Sequence, residues 1–242
     1  MSLNHHPDNP PSRYWAVVVA AGSGRRMSAE IPKQYLPLHG KTVMEHSLRH
    51  FIEHPGIAGI VIALAENDQR WGGLALQCAK PLVTVGGGAE RCHSVLNAVE
   101  RLGEWAVPPD WVLVHDAARP CLRRADIDSL MTGLRDHAVG GLLAAPVRDT
   151  MKRSDAQGNV RETVCREHLW HALTPQMFRF AALRDALRNA ITRGLTITDE
   201  ASAIEAAGMS PRLVPGHADN IKITQGDDLA LAEFYLRRQA EE

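Results

Sequence analysis

Apolar residues follow two alternating rhythms along this chain. Short continuous apolar runs, rich in β-branched residues, alternate with segments whose apolar positions recur at helical spacing. Trp15 to Ala21 (WAVVVAA) predicts a strand covered on both faces. A glycine-rich turn follows, then helical pattern from Val43 to His54. Gly59 to Ala65 reads as a second buried strand and Leu82 to Val85 as a short third. From Glu90 to Leu102, Val95, Leu96, Val99 and Leu102 share one helical face, with Gly103 at a plausible C′ position. Trp111 to His115 is a fourth strand, Ala125 to Arg135 a helix, and Gly141 to Ala145 a fifth strand. Strand and helix in alternation predict a parallel sheet with right-handed crossovers.

The rhythm then changes. Pro146 to Ala172 holds two extended polar segments about the turn-like SDAQGN, which predicts a hairpin projecting from the body. Helical pattern resumes over Arg179 to Ala190. Thr198 is placed to cap a helix over Asp199 to Ala207, closed by Gly208. Arg212 to Val214 and Asn220 to Ile223 read as short strands. Thr224-Gln-Gly-Asp227 resembles a capping box for a last helix to Arg238. Residues 1–12 read as a disordered tail, polar and rich in Pro and His, without the apolar region of a signal peptide.

Composition narrows the choices. Hydrophobic residues make up 45% and charged residues 23% of 242, a globular balance. The longest strongly apolar stretch, Gly56 to Ala65, falls well short of the ~20 residues needed to span a bilayer. Lys and Arg number 27 against 28 Asp and Glu, so no global positive field is available for nucleic acid. At 5%, aromatic residues offer little base-stacking surface. Cys78, Cys92, Cys121 and Cys165 form no CxxC and match no zinc template, which reads as reduced thiols in a cytoplasmic protein. The 12 histidines are scattered, and no metal ligands are expected among them.

Candidate chemistry gathers at the carboxyl ends of the predicted strands, where open α/β sheets bind ligands. Ala20-Ala21-Gly22-Ser23-Gly24-Arg25-Arg26-Met27 ends the first strand. It fits neither GxGxxG nor the P-loop. With Lys33 it forms a loop carrying three cations, suited to phosphate. A tight turn with solvated basic residues is the plain alternative. Gly86-Gly87-Gly88, followed by Arg91 and Ser94, ends the third strand, and permits close backbone contact with a ligand or merely a flexible turn. Asp116, in His115-Asp116-Ala117-Ala118-Arg119-Pro120, can bind a sugar hydroxyl or a hydrated Mg²⁺, or simply cap a helix. Lys222 lies in an apolar stretch where an isolated charge is costly; it calls for an anionic partner or guards a sheet edge. Thr150, Lys152, Arg166, Thr174 and Thr198 are further candidates. There is no HExxH, EF-hand loop or GxSxG elbow.

Taken in order, AAGSGRRM, PKQY, GGGAER, VLVHDAARP, APVRDTMK, LWHALTPQ, TITDEASA and ADNIK resemble the 2-C-methyl-D-erythritol 4-phosphate cytidylyltransferases of the non-mevalonate isoprenoid pathway, from about Trp15 to Arg238. The resemblance implies a Rossmann-like three-layer α/β nucleotidyltransferase fold with a mostly parallel sheet. It implies one domain over 13–242, with 146–172 as a protruding β-arm that builds a homodimer. It also implies transfer of CMP from CTP to methylerythritol phosphate with Mg²⁺ carried mainly on the CTP phosphates, in the cytoplasm, without nucleic acid or membrane. Ala20, Ala21, Gly22, Gly24, Arg25, Arg26 and Lys33 match the family's nucleotide loop, and Gly88 and Ser94 match further cytidine contacts. Asp116 matches the residue between nucleotide and sugar phosphate. Thr150, Arg166, Thr174, Thr198 and Lys222 match the acceptor site, some of them contributed by the partner's arm. By the same implication Arg26, Lys33, Lys222, Arg166 and Asp116 carry catalysis. Two positions depart from the pattern: Ala89 stands where Asp is common, and Val19 where Pro is frequent.

Overall fold

The computed structural model describes residues 12–22 and 31–242. Residues 1–11 of the expected tail, and the loop carrying Ser23 to Met27, lie outside the described residues.

A seven-stranded sheet organises the chain. Its strands are β1 (Tyr14–Ala20), β4 (Ile57–Leu64), β5 (Leu82–Gly86), β6 (Trp111–Asp116), β7 (Gly140–Pro146), β10 (Trp170–Arg179) and β11 (Arg212–Pro215), while β2 (Pro37–Leu38) and β3 (Lys41–Thr42) pair as a short separate ladder. Their spatial order is β11-β7-β10-β6-β1-β4-β5, and all are parallel except β10. Helices α1 (Val43–Glu53) and α3 (Arg124–Leu134) pack on one face. Helices α2 (Arg91–Leu102), α4 (Phe180–Thr192) and α5 (Glu200–Ala206) pack on the other.

The unbroken apolar runs are explained by this three-layer arrangement. Successive side chains of a strand point to opposite faces. Ala16, Val18 and Ala20 of β1 enter the α1/α3 layer, while Trp15 and Val17 enter the α2/α4 layer. In β6, Trp111 and Leu113 go one way, Val112 and Val114 the other. A strand covered on both sides has no position for a polar residue until it leaves the sheet. In β6 polar side chains come only at the strand's end, as His115 and Asp116. After β5 the chain crosses back to place β6 on the far side of β1. The β1/β6 boundary is thus a topological switch point.

Local signals set several ends. Thr42 caps α1 reciprocally with Glu45: the Glu45 N–H donates to Thr42 Oγ1 (3.2 Å), and the Thr42 N–H donates to Glu45 Oε2 (2.7 Å). Gly208, at φ +78°, closes α5. Its N–H reaches the Glu205 carbonyl, and the Met209 N–H reaches the Ile204 carbonyl, as in a Schellman motif. Gly103 follows α2 as expected but is right-handed, at φ −58°.

Four sequence expectations change. Trp170–Arg179, of which only 170–172 are read as hairpin and Arg179 as the start of a helix, forms β10 inside the main sheet, antiparallel to β6 and β7. Pro175 argues against a central strand because it has no N–H to donate. It is tolerated here because the ladder is interrupted between Ala172 and Gln176. The hairpin itself is β8 (Met151–Ser154) against β9 (Val160–Val164), almost entirely exposed, turned by Asp155 and by Gly158 at φ +87°. Second, Asp199, not Thr198, caps α5, because its carboxylate accepts the Ser202 N–H at 2.9 Å. Third, residues 220–223 form no strand. Fourth, Thr224 pairs with Asp228 rather than Asp227, ahead of α6 (Asp227–Glu241).

Among the described residues no helix is long and apolar enough to cross a membrane, and all four cysteines are free thiols. Gly141 leaves no room for a side chain: a Cβ there would lie 2.0 Å from the Arg212 carbonyl oxygen, across the β7/β11 pairing. Gly141→Ala is expected to lower stability by about 1–3 kcal/mol through overpacking, read as a drop in the urea midpoint at unchanged slope.

Candidate active site

A cleft of about 630 Å³ opens at the carboxyl ends of β1, β5 and β6. Ala20, Ala21 and Gly22 form one wall as β1 leaves the sheet. Gly88 to Arg91, with Ser94, form the wall between β5 and α2. Asp116 to Ala118 lie at the end of β6, and Lys33, Lys222 and Thr224 close the remaining side.

The backbone walls are held by short side chains. Gly87 donates its N–H to the Leu64 carbonyl (2.7 Å), and a Cβ on it would lie 2.3 Å from the Cβ of Ala21. That contact lets the β1 and β5 loops touch, and here glycine is required by space. Ser94 Oγ accepts the Gly88 N–H (3.0 Å) and donates to the Glu90 carbonyl (3.2 Å), so it shapes the loop as well as lining the cleft. Gln34, buried, donates to the Ala20 carbonyl at 2.8 Å.

Asp116 is the electrostatic centre. It is 7% exposed. Its Oδ1 accepts from Arg91 Nε (3.0 Å), its Oδ2 from Lys222 Nζ (2.7 Å), and Arg119 Nε lies 3.8 Å from Oδ2. Burial alone would raise this carboxyl, but the charges of Arg91 and Lys222 outweigh it and hold the group well below the usual carboxylate range. Arg91 also spans Glu200, which is 1% exposed, with Nη1 at 2.5 Å from Oε1 and Nη2 at 3.1 Å from Oε2. Burial disfavours the Arg91 charge, yet Glu200 and Asp116 together keep the guanidinium protonated. Arg119 donates to the Asn220 carbonyl (2.7 Å), while its Nε has no hydrogen-bond partner. Three cations, Arg91, Arg119 and Lys222, thus surround two buried carboxylates, leaving a positive excess suited to an anion.

The support beneath Asp116 is a fixed relay. Its N–H donates to Thr174 Oγ1 (3.3 Å), which lies 2.9 Å from His115 Nδ1. His115 Nε2 faces the Arg119 carbonyl at 3.1 Å and must carry the proton there, so Nδ1 accepts from the Thr174 hydroxyl. The ring is neutral: burial pushes its pKa down to about 4. Asn220 closes the relay by donating to the Thr174 carbonyl (2.7 Å).

Of the sequence candidates, Ala20, Ala21, Gly22, Lys33, Gly88, Ser94, Asp116 and Lys222 all line the cleft. Gly24, Arg25 and Arg26 lie outside the described residues. Lys33 donates to the Ile223 carbonyl at 2.9 Å. Lys222 is a partner of Asp116 rather than a strand lysine at a sheet edge. Thr174 is buried behind Asp116. Thr150, Arg166 and Thr198 are exposed and are not among the cleft's lining residues; Arg166 donates to the Arg148 carbonyl. Arg91, noted only by position, and Glu200, within TITDEASA, were missed as a pair. No local pattern links residues so far apart in sequence.

Mg²⁺ fits this donor set only in part. Each Asp116 oxygen already accepts one hydrogen bond from a cation, which leaves lone pairs for an ion's water shell. Glu200 is engaged by Arg91. The arrangement suits a cation that arrives on a polyphosphate, not one held in a protein cage.

Two measurements test this construction. Arg91→Met strands the buried Glu200 and leaves Asp116 to Lys222, so a loss of about 3–5 kcal/mol is expected in urea unfolding, against a smaller loss for Glu200→Gln. His115 and His50, each pushed down to about 4 by burial, bind fewer protons folded than unfolded. Their contribution is present above the ordinary histidine value and lost as pH falls toward 4, so urea midpoints should decline steadily from about pH 6.5 to about pH 4.

Comparison with known proteins agrees with this geometry. Residues 14–238 match the family profile described as 2-C-methyl-D-erythritol 4-phosphate cytidylyltransferase. A curated protein of that name from Vibrio vulnificus (strain YJ016) is 53% identical over 224 residues, covering 93% of this chain and 94% of the relative. One from Pseudomonas savastanoi pv. phaseolicola is 54% identical over 231 residues, covering 94% and 96%. A crystal structure of a 4-diphosphocytidyl-2C-methyl-D-erythritol synthase superposes with TM-score 0.82 at 36% identity, covering 94% of this chain and all of that one. The Francisella tularensis enzyme superposes with TM-score 0.79 at 35% identity, covering 93% of this chain and 100% of that one. The chain belongs to the 2-C-methyl-D-erythritol 4-phosphate cytidylyltransferase family.

Proposed function

We propose that this chain transfers CMP from CTP to the phosphate of 2-C-methyl-D-erythritol 4-phosphate, giving 4-diphosphocytidyl-2-C-methyl-D-erythritol and pyrophosphate for isoprenoid precursor synthesis. The observation that carries the reading is the convergence of Lys33, Lys222 and the Arg91–Asp116 pair on one cleft at the β1/β6 switch point. An acceptor phosphate oxygen attacks the α-phosphorus of CTP; the bond from that phosphorus to the β-phosphate's bridging oxygen breaks, and pyrophosphate leaves.

The acceptor needs no general base. A phosphate monoester has its second pKa near about 6 and is largely dianionic at neutral pH. The barrier lies in bringing two anions together and in charge growing on the transferred group, so positioning and fixed cations supply the catalysis. Lys33 and Arg26 stabilise the triphosphate and leaving group, with Gly22, Gly24, Arg25 and the backbone of Ala20 and Ala21 completing the nucleotide loop. Gly88 and Ser94 face the cytidine. Lys222 contacts the α-phosphate, and Asp116 lies between nucleotide and acceptor. Mg²⁺ carried on the CTP phosphates would neutralise part of the triphosphate charge, and Asp116 would be the residue to orient its waters.

Thr150 and Arg166 act across a homodimer, each arm (146–172) reaching the partner's acceptor phosphate, with Arg166 gripping it bidentately. The exposure of β8 and β9, and of Thr150 and Arg166, supports this placement. Thr174 serves the acceptor side through Asp116, and Thr198 flanks it. The four free thiols accord with a cytoplasmic setting.

Pyrophosphate release should be strongest with CTP plus methylerythritol phosphate and should require Mg²⁺. Equal turnover with ribitol 5-phosphate or another NTP would overturn the assignment. Lys33→Ala and Arg26→Ala should each lower kcat by roughly 10²–10³ with folding intact. Arg166→Ala should chiefly raise KM for the sugar phosphate, and an effect confined to CTP would contradict its placement.

A further inference from the structure

Beside the nucleotide cleft, at the start of α2, three metal-ligating side chains converge. Glu90, Cys92 and His93 place one ligand atom each within 4.8 Å of one another. Cys92 Sγ lies 3.8 Å from Glu90 Oε2 and 3.9 Å from His93 Nδ1. Around tetrahedral zinc, with Zn–S of about 2.3 Å and Zn–N or Zn–O of about 2.0–2.1 Å, the sulfur would lie about 3.5–3.6 Å from each other ligand. The observed separations exceed that by only a few tenths of an ångström, within reach of side-chain adjustment.

We propose that Glu90, Cys92 and His93 form a binding site for a thiophilic divalent cation of the zinc class. The donor set is one thiolate, one imidazole and one carboxylate, which suits zinc and not Mg²⁺ or Ca²⁺. Three protein ligands leave a fourth position open to water or an outside ligand. Burial is graded so that the ion has a route in. Glu90 is exposed, His93 half-buried, and Cys92 seated at 5% exposure against the apolar layer. His93 lies against the loop, since a Cβ on Gly88 would lie 2.4 Å from its Cβ. Glu90 is itself a cleft residue. Taking up the ion while the thiol gives up its proton removes one net negative charge from this rim. A search by cysteine spacing misses such a site, because it has a single cysteine.

The test is titration of the reduced full-length chain with Co²⁺ in the absence of nucleotide. A single equivalent should give thiolate-to-cobalt charge-transfer absorption with tetrahedral d–d bands, both displaced by Zn²⁺. Cys92→Ala should abolish the charge-transfer band, His93→Asn should weaken Co²⁺ binding at least about tenfold, and Cys165→Ser should leave the band in place. Binding through His5 and His6 would give no sulfur band. Absence of that band in the wild-type chain, its survival in Cys92→Ala, or its loss in Cys165→Ser would overturn the proposal. Should Cys92→Ala fail to fold by circular dichroism, His93→Asn decides, and unchanged Co²⁺ affinity in it would overturn the site.

Discussion

A carboxylate buried at the end of a central strand cannot stay ionised by itself, and much of the site follows from that constraint. Asp116 needs cations, and none lies within its own strand. Arg91 comes from the start of α2, Lys222 from the segment before α6, and Arg119 from the turn after β6. Each of these then has needs of its own. Arg91 requires Glu200, which fixes α5 against α2, and Arg119 requires the carbonyl of Asn220, which docks the C-terminal segment. One buried charge thereby ties together three distant parts of the chain.

The same constraint shapes what the cleft can do. Both oxygens of Asp116 are held by cations, so the residue is an orienting acceptor and a poor base. Catalysis by positioning suits this arrangement, because rigid groups set in advance need no reorganisation when charge moves. Thr174 and His115 extend the rigidity below the floor. A neutral imidazole between a hydroxyl and a carbonyl keeps the strand end from turning. Gly87, against Ala21, serves the opposite purpose, since it allows two loops to meet closely enough for backbone to form the wall.

Much of the fold was legible in the apolar pattern. Strands β1, β4 and β6 are covered on both faces, so their residues have almost no freedom to be polar. Elements governed by local chemistry and exposure were read less well. β10 hides behind Pro175, whose missing donor is harmless only because the ladder breaks there. Residues 220–223 look like a strand, but their backbone is used to hold Arg119 and Lys33. Thr198 and Asp199 are both good caps, and only the geometry of the turn selected Asp199.

By itself the sequence determined the alternation of buried strands and helices, the glycine loops at strand ends, and the family to which the motif strings point. These depend on near neighbours, where spacing is geometry. What only the tertiary structure decided is which charges meet. Arg91, Asp116, Glu200 and Lys222 form one cluster because β5 and β6 end, α2 and α5 begin, and the segment before α6 passes, at the same edge of the sheet. Likewise, the Glu90, Cys92 and His93 side chains approach one another only in the particular backbone turn that begins α2. Electrostatic partners are chosen by distance in space, and that distance does not exist until the sheet has formed.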